Sequence, residues 1–512
     1  MIVQGSEIAK PLALRTHTVV VGSGPGGGVA AYHLAAAGVD TIVLEEGGRH
    51  VAAEFNQREE DMRPMLYRDG GSQMTSDGMV AVLQGSCLGG GSVVNVSDCV
   101  PIPGEVLAHW HRLVGTTDVT EESLEESYRR VEKSLNVKPN NKSLLNRNNL
   151  LLSETATKLG WKSHVMDSNR KGCVGSGYCM VGCSYDARLG TNLTYLPWAV
   201  GKGATIYSDV RCDRLEKLGG SKYRVHATVL ERGSRNARLP LTIECERVVL
   251  AASSIHTPAI LMRSGFGAGL PQLGKNLTLQ PQLGVIGIFD KHQDIVHWRG
   301  APQSVAVHEF DDNSAEHGLG GFRFEGIGGL VGVIQALMPG FGDEHKRFAT
   351  QLRQMSVTQL LVPDQPSGEI TYQWTDDGRV LPKIDYVMQD EWKQRLKLGM
   401  RKLGQLLFES GAKEVAFAHQ SFPVIKSPDE LPKVEQFQIA PGLTVFNSAH
   451  NQGTCRMGLK ADTSVVDQNL KVHGLDNVFV MDASIMPTSA ATHTMIPIMV
   501  MADRAVHRML SS

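Results

Sequence analysis

The chain has 512 residues, 42 % of them hydrophobic and 20 % charged, with a formal net charge of −2 at pH 7. That length supports two or three domains with large cores, and the near-neutral balance gives no electrostatic case for nucleic acid or an anionic membrane surface. No stretch is long and apolar enough to span a bilayer, Met1 to Arg15 lacks the segments of a secretory signal, and eight Cys in such a length are no disulfide scaffold, so a reduced, cytoplasmic setting is expected.

Residues 18 to 48 carry the first legible unit. Val19, Val20 and Val21 are a β-branched run suited to a buried parallel strand. Gly22, Gly24 and Gly27 then supply G-x-G-x-x-G. The first glycine permits a tight turn, the second lets backbone approach a pyrophosphate, and the third lets helix and strand pack closely. The phosphates meet amide N–H groups at a helix N-terminus, where the dipole favours anions. A second strand ends at Glu45, close to the roughly 20-residue offset at which an acid accepts hydrogen bonds from a ribose diol. Together these features predict a bound dinucleotide. Glu46, Gly47 and Gly48 lean the reading towards FAD over NAD.

Val82 to Asn95 is a second glycine-rich loop. Residues 120 to 160 are helical in pattern, with Leu124, Tyr128, Val131 and Leu135 at helical spacing and Asn140-Asn141 as the break. Cys173, Cys179 and Cys183 form the densest cysteine cluster, a set that could supply thiolates to zinc or iron–sulfur. No fourth Cys or His lies nearby, so free or structural thiols are expected first, a disulfide next and a cluster last. Cys87, Cys99, Cys212, Cys245 and Cys455 read as packing residues.

Residues 205–209 and 223–229 read as strands. Arg247 to Ser254 reads as a buried strand opening onto Thr257-Pro258 and a helix whose first turn takes the proline. Residues 283–290, 330–339 and 355–363 read as strands of a mostly antiparallel sheet, joined by 369–374 and 383–387. Glu309, Asp311, Asp312 and Glu316 form an acidic run, followed by Glu325. Such a run is usually a solvated loop, the alternative being contact with a cationic substrate. Glu391 to Glu409 is an amphipathic helix, and Thr494-Met-Ile-Pro497 opens an apolar helix towards Met509. The strands near 247–252 and 478–482 continue the first sheet. The expected fold is therefore α/β with discontinuous domains. A Rossmann-like domain takes residues 1–100, 190–280 and 440–512, and a sheet-based α+β substrate domain takes 101–189 and 281–439.

Gly85-Ser-Cys-Leu-Gly-Gly-Gly-Ser-Val-Val-Asn95 resembles the first signature of the glucose–methanol–choline (GMC) family of flavin oxidoreductases. Ser253 to Gly267 is similar to the second signature, with Ser253 where Gly or Ala is usual, and Leu273 to Leu277 is similar to a segment that commonly follows. His450 to Gly458 and Val480 to Thr488 resemble the family's catalytic-histidine and flavin-contacting segments. The motifs span essentially the whole chain in the family's order. They lie nearest the cysteine-bearing branch that includes long-chain alcohol oxidases and alcohol dehydrogenases of aminoglycoside biosynthesis.

The resemblance implies a GMC fold, FAD, and oxidation of an alcohol carbon. His450 and His493 are the implied catalytic residues. The implied cofactor residues are Gly22, Gly24, Gly27, Glu45, Gly89, Gly90, Gly91, Ser92, Asn95, Val210, Asp482, Ala483 and Thr494. A neutral imidazole suits a base near pH 7, so His450 is expected as the base and His493 as the group that orients the substrate oxygen, with exchanged roles the alternative. The terminal helix's N-terminal partial charge suits negative charge on a reduced flavin. The 85–95 loop holds no His, so non-covalent FAD is expected, and no metal site is. The implied partners are a small-molecule alcohol and either O2 or another electron carrier. A sugar or amino-sugar primary alcohol is the expected substrate, with a long-chain or sterol alcohol as the alternative. An NAD-dependent dehydrogenase and a non-redox flavin-binding protein are the readings from other classes.

Overall fold

The computed structural model describes residues 1–312 and 320–511. Six short runs form one parallel sheet in the order Ile2–Gln4, Thr205–Ser208, Thr41–Glu45, Thr18–Val21, Arg247–Leu250 and Val478–Val480. Every residue of Thr18–Val21 and Thr41–Glu45 is buried, as a parallel strand covered on both faces requires. The strands at 247 and 478 lie side by side beyond Thr18–Val21, so distant segments complete the sheet that the first βαβ unit begins. The helix Pro25–Ala36 packs on this sheet, and the terminal helix Met495–Ser511 packs against it.

A second, mostly antiparallel sheet runs Val80–Val82, Phe446–Ser448, Gln282–Ile288, Met355–Leu361, Arg323–Gly326, Val305–Val307 and Ser163–Val165. Glu414–Phe417 also pairs with Gln282–Ile288. The helix Asp390–Glu409 buries Trp392, Leu396, Met400, Leu403 and Leu407, a helical stripe within the core of this sheet. Among the described residues no helix is long and apolar enough to cross a membrane.

Four expectations need correction. First, residues 330–339 are not a strand but contain the helix Val331–Leu337. Its β-branched residues mislead, and a distant acid decides: both Glu59 carboxylate oxygens accept N–H bonds from its first turn, from Gly332 at 3.0 Å and Val333 at 3.3 Å. Second, Gly368–Trp374 and Val380–Asp385 leave the large sheet and pair with Lys275–Leu277 in a separate three-stranded one.

Third, the helix after Arg247–Leu250 begins at Ser253, which puts Pro258 in its second turn. A proline there supplies no N–H to the Ser254 carbonyl. The Thr454 hydroxyl takes that role, donating to Ser254 O at 2.6 Å. Fourth, of the two readings of the acidic run, the alternative of contact with a cationic substrate finds no support at its described residues. Glu309 accepts the Lys162 N–H, Asp311 pairs with Arg323, and neither they nor Asp312 line the cavity described below. Glu316 lies outside the described residues.

Candidate active site

A cavity of about 710 Å³ runs from the carboxyl ends of the parallel strands, at Val21 and Leu44, to Gln282, Val357 and Gln359 of the second sheet. Open α/β sheets bind ligands at such strand ends. Gly22, Gly24, Glu45, Gly90, Gly91, Asn95, Val210, Asp482, Ala483 and Thr494 line it, together with His450 and His493. Gly27, Gly89 and Ser92 do not; they shape the loops from behind. A Cβ on Gly27 would stand 1.9 Å from the Gly22 carbonyl oxygen, so the helix can lie this close to the turn only without one. The Gly89 N–H donates to Ser23 Oγ at 2.9 Å, and Ser92 Oγ donates to Gly89 O at 2.7 Å.

Ser23, which the motif reading passed over, joins the two glycine loops to the acid. Glu45 accepts from the Ser23 N–H at 3.0 Å, from its hydroxyl at 2.5 Å and from the Gly47 N–H at 2.8 Å. Burial raises the Glu45 carboxyl, and these bonds oppose the rise. Asp482 is a comparable joint. It accepts from the Ser253 N–H at 3.1 Å, the Thr257 hydroxyl at 2.5 Å and the Ser484 N–H at 2.9 Å, so it ties the end of the last strand to the Ser253–Arg263 helix.

Two glycines test whether a flat cofactor fits. Around the place of a Cβ on Gly24 or Gly91 there is no protein atom within 4 Å, and neither residue has a positive φ. Neither backbone strain nor protein packing demands glycine at these positions. Both face the cavity, which is where a ring system or pyrophosphate lying against bare backbone would demand it. The residues present therefore fit FAD.

At the far end, the rings of His450 and His493 stand 5.1 Å apart and nearly perpendicular. His450 Nδ1 lies 3.1 Å from Gln280 Oε1 and 3.3 Å from Gln282 Nε2. Taking the shorter contact as the hydrogen bond puts the proton on Nδ1 and leaves Nε2 with a lone pair. His493 Nε2 lies 3.0 and 3.1 Å from the two oxygens of Glu325.

The electrostatics separate the pair. Burial, and then the charge of His493, push His450 down to about 3, so it is neutral at physiological pH. Burial alone would lower His493 too, but Glu325 and Asp98 hold it above its ordinary value. Burial would raise Glu325, and His493 outweighs that and holds it well below the usual carboxylate range. Asp98, 3.8 Å from His493, is pushed by burial up to about 7, and neither of its oxygens has a hydrogen-bond partner among the described residues.

Sequence reasoning missed Asp98 and misassigned Glu325 to a loop run. Glu325 lies on the buried strand Arg323–Gly326, and a lone acid in so short and buried a segment was the available signal. Ile327, Leu330, Val333, Ile334, Leu337 and Val357 also line the cavity and give it an apolar portion.

The cysteine cluster packs behind the second glycine loop. Cys173, Cys179 and Cys183 line one small recess with Arg170 and Arg188. Arg188 donates to the carbonyls of Asn95 and Cys179, coupling the recess to the cavity wall. All eight cysteines are free thiols.

Bare glycine backbone on a wall where a flat ring would fit, and two buried imidazoles with oppositely shifted pKa values in the same cavity, suit a flavin-dependent alcohol oxidoreductase. Comparison with known proteins takes the matter further. Residues 64–282 and 364–502 match sequence models described as GMC oxidoreductase, and the chain belongs to that family. It is 33 % identical over 494 residues to an uncharacterised GMC-type oxidoreductase of Mycobacterium tuberculosis, covering 96 % of this chain and 75 % of that one. It is 29 % identical to the long-chain-alcohol oxidase FAO3 of Arabidopsis thaliana, over 95 % of this chain and 67 % of the other. It is 25 % identical to paromamine 6'-oxidase of Streptomyces fradiae, over 92 % and 86 %. Among solved structures, formate oxidase superposes with a TM-score of 0.73 at 17 % identity, over 97 % of this chain and 98 % of that one, and shares the fold. The chain is thus an FAD-dependent alcohol oxidoreductase.

Proposed function

We propose that the enzyme holds FAD non-covalently and oxidises a primary alcohol whose hydroxyl lies between His450 and His493. What carries this reading is the pair of buried imidazoles 5.1 Å apart, their pKa values shifted in opposite directions, at the end of a glycine-walled cavity. Bound FAD supplies the hydride acceptor. Gly22, Gly24, Gly90 and Gly91 would lie against it, with Glu45 at the ribose and Val210, Asp482, Ala483 and Thr494 along its length. His450 Nε2 accepts the hydroxyl proton. The His493 imidazolium donates a hydrogen bond to the substrate oxygen and steadies the negative charge that develops there. That same developing charge raises the basicity of His450 as the proton moves. Burial of both rings excludes water from the transfer.

The apolar portion of the cavity, from Ile327 to Leu337, supports an alcohol with a long apolar body, the kind named for the Arabidopsis relative. This reverses the order expected from sequence, since the described residues of the acidic run, Glu309, Asp311 and Asp312, do not line the cavity. An amino-sugar alcohol, the kind suggested by the Streptomyces relative's name, retains one supporting observation: the buried Asp98 carboxyl beside His493, which has no hydrogen-bond partner among the described residues. The division into the two discontinuous domains stated above and a reduced, cytoplasmic location belong to the same proposal. Eight free thiols support the location.

Anaerobic mixing with fatty alcohols, amino sugars and simple sugars tests the substrate reading through loss of flavin absorbance. Reduction by long-chain alcohols is expected. Reduction by amino sugars alone would favour the second reading, and reduction by no alcohol would leave a non-redox flavin protein. Repeating the reduction in air, with oxygen uptake recorded, separates O2 from another carrier as acceptor.

A further inference from the structure

We infer that His33, Asp503 and His507 form a binding site for a divalent transition-metal ion such as zinc. None of the three lines the FAD cavity. His33 lies near the end of the Pro25–Ala36 helix, while Asp503 and His507 stand one turn apart on the terminal helix, where i and i+4 share a face. Two ligands at that spacing on one helix, with a third from a neighbour, is a recurrent way to hold zinc.

His33 Nε2 lies 3.0 Å from Asp503 Oδ2, and His507 Nε2 lies 3.7 Å from the same oxygen. The three donor atoms all fall within 4.8 Å of one another. Zinc bonds of about 2.0–2.2 Å in a tetrahedron separate ligand atoms by roughly 3.3–3.6 Å, so the group needs only small adjustment. Neither imidazole Nε2 is aligned for a hydrogen bond to the carboxylate, although both are buried and close.

The carboxylate is held in place from behind. Arg130, on the Glu121–Leu135 helix, donates to Asp503 Oδ1 at 2.6 and 3.0 Å and more weakly to Oδ2 at 3.3 Å, so Oδ2, shared with the imidazoles, is the less engaged oxygen. Such outer partners orient metal ligands. The arginine's charge opposes a cation, and Glu126, paired with Arg130, offsets part of it. The rest of the His507 side chain is partly exposed, so the group lies close to the surface although its donor nitrogen is buried. Two imidazoles and one carboxylate suit zinc, cobalt or nickel better than magnesium or calcium. An ion here would brace the two helices whose N-terminal ends border the cavity.

The test is titration of the FAD-loaded enzyme with Zn²⁺ by calorimetry, and with Co²⁺ read by its visible bands beyond the flavin absorption. One ion per chain is expected in the wild type. His33→Gln or His507→Gln is expected to weaken binding by more than about tenfold, and the double variant to abolish it, with FAD content unchanged. Anomalous diffraction at the zinc edge from wild-type crystals locates the ion without any variant. No stoichiometric ion in the wild type, one that survives in the double variant, or one found at the cysteine recess or at Asp98 would overturn the assignment.

Discussion

Gly24→Ala adds one methyl group at a place where no protein atom lies within 4 Å. The backbone there has φ −62° and ψ −166°, an extended conformation that alanine adopts freely. The FAD-free variant should therefore be as stable as the parent, or gain about 0.4–1 kcal/mol from the freedom its unfolded chain loses. The methyl points into the cavity where a pyrophosphate is expected. Crowding of this kind typically costs about 1–3 kcal/mol, which raises the Kd for FAD by about five- to a hundredfold. Gly27→Ala should do the reverse. Its Cβ would stand 1.9 Å from the Gly22 oxygen, so it should destabilise the FAD-free fold by at least about 1–3 kcal/mol. Urea unfolding of the deflavinated proteins and fluorescence titration with FAD separate the two effects. Parent-like FAD affinity in Gly24→Ala would refute the cradle. So would a loss of apo-stability matching that of Gly27→Ala.

Three further outcomes are expected. Glu325 keeps His493 protonated above its ordinary range, so activity should fall as pH rises through that elevated pKa. Glu325→Gln should move this alkaline limb down by about one to two pH units, the worth of a charged hydrogen bond, as read in the pH profile of kcat/KM. Asp98 is protonated in the folded state up to about pH 7 but ionised above about pH 4 when unfolded, so the unfolded state binds fewer protons and this group's effect on stability falls as pH rises between those values. Asp98→Asn should flatten that fall in urea midpoints at pH 5 and pH 8, and should leave turnover of fatty alcohols within about threefold while raising KM for any cationic alcohol. Thr454→Val removes the hydroxyl that serves the Ser254 carbonyl. It should lower stability by about 1–3 kcal/mol in denaturant titration while leaving KM unchanged.

Local chemistry was the legible part. Val19 to Glu45 could be placed because each residue's task there depends on near neighbours: a buried strand, a turn without side chains, an acid at the next strand's end. The 247 and 478 strands were legible for the same reason, as short apolar runs with small residues after them. What failed was anything settled across the chain. Residues 331–337 look like a strand until Glu59 caps their first turn. Pro258 looks like a helix start until Thr454 is brought to Ser254. Glu325 and Asp98 could not be tied to His493 by spacing, because three separate segments converge on that imidazole. His450 and His493 were found by their flanking motifs, yet the opposite shifts of their pKa values come from burial and from Glu325, which no local pattern announces.

The last strand of the parallel sheet joins segments that are far apart in the order of translation. Arg247–Leu250 is translated long before its neighbour Val478–Val480, and until then one of its edges has no pairing partner. Gly26, in the first turn of the glycine helix, sits so close to the Met481 carbonyl that a Cβ there would stand 1.7 Å from it. The seat of that helix is thus formed in part by the segment after Val478–Val480. A nascent chain stalled before residue 478 carries the phosphate-binding turn but neither the finished pocket nor His493, and it offers an open strand edge to its neighbours. The finished pocket therefore depends on contacts between segments more than 400 residues apart in the sequence.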